Sequence, residues 1–124
     1  LILDLHKMKT LIKITILFFF IAIVSCRQDE AITKAGLNTI YIKHKNGSID
    51  ECSCKGQKVY FAGMNYYDAG SGIYDTTGRL IATCNWAWGT VDTLCSQITN
   101  CETIYRCNNH ISGQPFVDKY GLSK

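Results

Sequence analysis

This chain has little net charge. Its 124 residues carry 13 Lys+Arg and 10 Asp+Glu, and Lys7, Lys9, Lys13 and Asp4 all precede Cys26. Behind Cys26 stand ten basic and nine acidic residues, a formal charge of about +1. A near-neutral domain has no long-range field with which to gather nucleic acid, so that class of partner is set aside. Histidine is scarcer still, with only His44 and His110 after Cys26. No H-x3-H pair, His/carboxylate cluster or thiol-plus-His signature is present, and a lone histidine is more often an ordinary surface or core residue. Asp50 and Glu51 are adjacent, so a strand would send them to opposite faces. Asp68 lies in a Gly-rich loop without EF-hand spacing, where making a turn is the simpler role. The chain is therefore read as a non-enzyme with no cofactor and no metal.

A long apolar run is also missing. From Ile14 to Val24 the chain is apolar apart from Thr15, but Lys13 cuts the stretch to about half of the roughly 20 residues a membrane span needs. What is there instead is ordered like a secretion signal. Met8 opens a basic stretch with Lys9 and Lys13, the apolar run follows, and Ile23-Val24-Ser25-Cys26 closes it. This ending resembles the lipobox of bacterial lipoproteins. The resemblance implies cleavage before Cys26, lipidation of its thiol, and a mature chain of 99 residues. Residues 1–25 are then signal peptide, with 1–7 a start-site over-call. Arg27-Gln28-Asp29-Glu30 resembles the acidic export signal of Bacteroidota surface lipoproteins. That implies an outer-membrane location at the cell surface, and the alternative is a tether kept soluble by its acids. Residues 26–38 are read as the lipidated Cys and a flexible tether, and 39–124 as one domain with a modest core.

Six cysteines follow Cys26: Cys52, Cys54, Cys84, Cys95, Cys101 and Cys107. An even number in a small exported domain reads as a disulfide framework. No C-x2-C pair of the common zinc sites occurs.

Residues 39–45 (TIYIKHK) alternate, with Ile40, Ile42 and His44 on one face, which predicts a strand. Asn46-Gly47 is a strong hairpin signal, with 48–54 as the return strand. A turn at Lys55-Gly56-Gln57 leads to a third strand over 58–62, and a loop spans 63–72. Asp75 to Gly78 fits a type I turn closed by a left-handed glycine, between strands ending at Asp75 and running over 79–84. In 91–106, Val91, Leu94, Cys95, Ile98, Cys101 and Tyr105 recur at helical spacing, which predicts a helix that Thr93, Thr99 and Thr103 weaken. On that helix Cys95 and Cys101 would lie roughly 9 Å apart along the axis. A disulfide tolerates at most about 7 Å between Cα atoms. The same holds for Cys101 and Cys107, so each of the last three cysteines must pair with one of Cys52, Cys54 and Cys84. The tail 108–124 is irregular, with a short strand around Phe116-Val117. The expected fold is α+β: a small β-meander of four to five strands with one C-terminal helix, stapled by disulfides.

Aromatic residues offer the best binding surface. Tyr66 and Tyr67 flank the Gly-rich loop, and Trp86-Ala87-Trp88 follows Cys84. If 86–88 is extended, both indoles face one way and can stack on sugar rings or grip a partner. The competing role is closure of a small core. Asp75-Thr76-Thr77 and Asp92-Thr93-Leu94 resemble the O-glycosylation sequon of exported Bacteroidota proteins, which implies modification at Thr76 or Thr93. The stretch Val59–Cys84 resembles a small Bacteroidota lipoprotein domain of uncharacterised function and carries no catalytic residues. The whole is read as a lipid-anchored envelope lipoprotein, attached to the membrane through Cys26, that binds a glycan or an envelope protein. Two alternatives are a disulfide-rich hydrolase inhibitor presenting loop 63–72 and a structural subunit of an envelope complex.

Overall fold

A computed structural model describes residues 2–124, and their side chains except those of 19–28 and 90. The side chain of Cys26 is thus among those not described. The elements are α1 (Ile2–His44), β1 (Gly47–Cys54), β2 (Gln57–Met64), β3 (Ser71–Tyr74), β4 (Leu80–Asn85) and β5 (Thr90–Val91). A 3-10 helix (Thr93–Ser96), β6 (Ile98–Arg106) and β7 (Val117–Asp118) complete the chain. One compact unit ends at Ile32 and a second runs Thr33–Lys124. In the first, α1 exposes Leu11, Leu17 and Phe18. Among the described residues no helix is long and apolar enough to cross a membrane. All strands belong to the second unit.

These strands form one antiparallel sheet in the order β5-β4-β3-β2-β1-β6-β7. Because side chains alternate across a pleat, neighbours in one strand serve opposite faces. Tyr60 pairs with Tyr74 and Ile49 with both Ala62 and Tyr105, and these build one core with Ile104 and Cys107. Phe61 pairs with Ile73, Ile73 with Ala82 and Cys52 with Val59, and these build a second core with Cys54, Cys84 and Cys95.

The first face is covered by the last turns of α1. Leu37, Ile40, Tyr41 and His44 recur at i, i+3, i+4 and i+7, and Ile40 is completely buried. This corrects the strand expected over 39–45. Alternation placed Ile42 beside Ile40, yet Ile42 is 62% exposed. The period is 3.6, and Leu37, just upstream, decides it. Asn46-Gly47 accordingly joins helix to strand rather than turning a hairpin. Gly47 is there for space: a Cβ on it would stand 1.9 Å from the Gly63 carbonyl oxygen.

The helix predicted over 91–106 is overturned as well, and with it a C-terminal helix. The α-helix precedes the strands, and 98–106 is β6, paired with β1. The β-branched residues Ile98, Thr99, Thr103 and Ile104 suit a pleated surface. The helical spacing runs across three elements, with Val91 in β5, Leu94 and Cys95 in the 3-10 helix, and Ile98, Cys101 and Tyr105 in β6, where two bulges against β1 break the strand's alternation. Residues 92–97 must cross from β5 to β6. Five strand spacings of about 4.8 Å exhaust the reach of so short a segment, so the sheet curls over its second face.

Two disulfides close that face. Cys52–Cys101 ties β1 to β6 across a sequence separation of 49, and Cys84–Cys95 ties β4 to the 3-10 helix across 11. Chain entropy alone gives these about 4 and about 3 kcal/mol. Both obey the expected pairing of a late cysteine with an early one, but they staple strand to strand and strand to 3-10 turn. The third bridge is not made, and Cys54 and Cys107 are buried free thiols. The register explains this. Cys54 faces Ile98 at one end of β1, while the Cys107 amide bonds Gly47 at the other. About 23 Å of strand separates those ends, far beyond disulfide reach.

The β3–β4 hairpin matches expectation. Gly78 has φ +85° and its amide donates to the Asp75 carbonyl at 3.0 Å. Its turn rests on α1 at Gly36, where a Cβ would sit 2.1 Å from the Thr76 carbonyl oxygen. The β1–β2 turn at Lys55-Gly56 also forms, with φ of +51° and +77° as a type I′ turn requires.

Two tests follow from this packing. Gly36→Ala forces helix and hairpin backbones apart and is expected to cost about 1–3 kcal/mol, read as a lowered urea midpoint; an unchanged midpoint would show that the hairpin does not dock at Gly36. Thiol titration of a Cys26→Ser chain should find two reactive thiols after unfolding and almost none before it, whereas four or more would refute the bridge assignment.

Candidate binding surface

Antiparallel order places alternate connections at the same end of a sheet. Gly47 pairs with Met64 and Ser71 with Cys84, so the β2–β3 loop and the β4–β5 turn emerge together. All four aromatic candidates sit on these two connections. Tyr66 is 64% exposed, Tyr67 82%, Trp86 67% and Trp88 76%. The competing role in core closure is thereby excluded, because the core is built by Tyr60, Tyr74 and Tyr105 instead.

The expected extended Trp86–Trp88 is corrected to a turn, since Asn85 pairs with Thr90 and four residues lie between them. Gly89, at φ +71°, supplies the left-handed position. The base of this turn is firmly held. Cys84, two residues before Trp86, is bridged to Cys95, and the Asp92 carboxylate accepts the Thr83 amide at 2.9 Å. The Asp92 amide in turn donates to the Thr83 carbonyl at 3.1 Å.

The β2–β3 loop is shorter than the expected 63–72, since β2 runs on to Met64 and β3 begins at Ser71. Asp68 adopts φ +61° there, a turn role. Gly70 lies against Asn85, bringing the bases of the two aromatic connections together. Asn65 fixes the other side, its side-chain oxygen accepting the Ile111 amide at 2.7 Å and its nitrogen donating to the Asn109 carbonyl at 3.3 Å.

His44 lies near this end, 8% exposed, with Nε2 2.8 Å from the Tyr74 hydroxyl and Nδ1 without a partner among the described residues. Burial holds its pKa below the ordinary value of 6.5 against the opposing pull of the Gly63 carbonyl, and the Lys43 charge adds a smaller lowering. Burial also pushes the Tyr60 and Tyr105 hydroxyls up to about 12. The Tyr105 hydroxyl donates to the Lys45 carbonyl at 2.6 Å, tying β6 to the end of α1.

The two sequon threonines differ. Thr76 is half-buried in the turn against Gly36, and the Asp75 carboxylate before it accepts from the Thr77 amide, the Thr77 hydroxyl and the Arg79 amide. Thr93 opens the 3-10 helix and is exposed. Among the described residues no group of three or more His, Cys, Asp or Glu could hold a metal ion. No family model, curated protein or solved structure matches the chain.

His44 gives this end a pH dependence with a fixed sign. Its folded pKa is lowered, so its stabilising contribution is full above the unfolded value near 6.5 and is lost as pH falls through the folded value. Urea midpoints should therefore fall from pH 8 to pH 5, more steeply for the native chain than for His44→Gln. Parallel slopes in the two proteins would remove His44 as the cause.

Proposed function

We propose that this chain is a lipid-anchored lipoprotein of the bacterial outer membrane whose domain is a non-catalytic binding module for a glycan or a protein. One observation carries the binding role. Four large aromatic side chains stand in solvent on two adjoining connections whose bases are held by a disulfide, a carboxylate–amide bond and the Asn85–Gly70 contact. Exposing an indole forgoes the stabilisation its burial would give, and Trp and Tyr are the residues that recover it by anchoring a partner. Holding the connections rigid lowers the ordering cost of capture. The anchor rests on the lipobox-like Ile23-Val24-Ser25-Cys26 and the acidic residues behind it.

The test uses the full chain in detergent beside Trp86→Ala/Trp88→Ala, with circular dichroism confirming that both fold. An envelope or glycan component captured by the native chain should be lost, or weakened at least tenfold, in the double variant. Equal capture by both would take the aromatic connections out of the binding surface, and no capture by either would defeat the binding role. Labelling with a fatty acid should mark the native chain and not Cys26→Ser; an unlabelled native chain would defeat the anchor.

A further inference from the structure

Beside the aromatic connections, at the same end of the sheet, lies an open depression of about 590 Å³. That volume is within the range of small-molecule sites. It is walled by Tyr41 of α1, the link between α1 and β1, the residue after β2, Tyr105 of β6 and the segment after β6, and its lining is rich in amides: Asn46, Asn65, Asn108 and Asn109. Asn65 is already engaged in holding the 109–111 segment. The side chains of Asn46, Asn108 and Asn109 make no hydrogen bond among the described residues, so three amides are left to solvent or to a ligand.

A side-chain amide donates and accepts at once, which suits a ligand whose groups do the same, namely the hydroxyls of a sugar. Tyr41 adds a ring at the wall, kept in place by an edge-on contact with Tyr105 at 5.0 Å. Lys45 is the one charged residue of the lining, and no carboxylate faces it there. A neutral sugar leaves that ammonium without a partner, whereas a carboxylated sugar supplies a charge-assisted bond.

We infer that this depression is a saccharide subsite with preference for a uronate: amides meet the hydroxyls, and Lys45 meets the carboxylate. The inference rests on the binding-module reading and names the ligand class of the same end of the sheet. The aromatic connections would then stack on further rings of the same chain, since Asn65 in the depression directly precedes Tyr66.

The full chain in detergent is titrated with an oligogalacturonate and with the matching neutral oligogalactose, followed by calorimetry. The native chain is expected to bind the uronate about tenfold more tightly, an advantage that shrinks as salt rises. Lys45→Gln should remove most of that preference. Asn108→Leu should weaken both ligands several-fold, with circular dichroism confirming the fold of each variant. No binding of either oligomer, or a uronate preference that survives Lys45→Gln, overturns the inference. Envelope capture that Trp86→Ala/Trp88→Ala abolishes while Lys45→Gln and Asn108→Leu leave it intact would also overturn it, yet keep the binding module. Uronate binding that both pocket substitutions weaken supports the inference even where the tryptophan variant behaves as native.

Discussion

The sheet of this domain has two apolar faces, and both must be covered. The last three turns of α1 cover one, through Leu37, Ile40 and His44. This contact governs more than its own core. It brings Gly36 against the β3–β4 turn, places the Tyr105 hydroxyl on the Lys45 carbonyl, and seats His44 on Tyr74. Burying Ile40 alone is worth about 1.5–3 kcal/mol. Without that cover, Tyr60, Tyr74 and Tyr105 would face water, and the end of the sheet that carries the aromatic connections would lose its floor.

The opposite face is covered differently. Cys52, Cys54, Cys84 and Cys95 are four of the seven buried members of that core, and the remainder are Val59, Ile73 and Ala82. Side chains this small cannot fill the space between a flat sheet and a packed helix. The sheet instead curls towards its own second face, and the short 92–97 crossover draws the two sides together. Bridging β4 to the crossover and β1 to β6 then removes unfolded-state freedom where apolar area is limited. The open edges are blunted by two-residue strands, β5 and β7, which offer little template for pairing with another chain.

The turns of this fold were legible because their chemistry is local. Asp75 through Gly78 and Lys55-Gly56 announce positive φ or side-chain-to-backbone bonds within four residues, and the structure has both. The two period errors have different physical origins. A window of seven residues such as TIYIKHK satisfies both a period of 2 and one of 3.6, and only the burial of Leu37 outside it separates them. In β6 the bulges shift apolar residues out of alternation, so Ile104 and Tyr105 are buried side by side. Bulges depend on the partner strand, which a single sequence does not display.

The candidate surface was half legible. That Tyr66, Tyr67, Trp86 and Trp88 belong together follows from pairing of the strands that precede them; the loop holding the tyrosines was expected, whereas the turn holding the tryptophans was read as extended. Whether they point inward could not follow from residue type, because an indole serves a core as well as an interface. The sheet settles it through competition for space. Tyr60, Tyr74 and Tyr105, with Ile49 and Ile104, already fill the face beneath α1, and the buried centre of the second face is filled by cysteine, alanine and β-branched side chains with Phe61, Ile81, Leu94 and Ile98 packed around it. The aromatics of the connections are therefore in solvent because the cores are complete without them. The same logic applies to the amides of Asn46, Asn108 and Asn109, which no backbone turn consumes. What the fold leaves unused at one end of its sheet is an aromatic and amide surface, and that residue of unspent chemistry defines the site more sharply than any motif in the sequence.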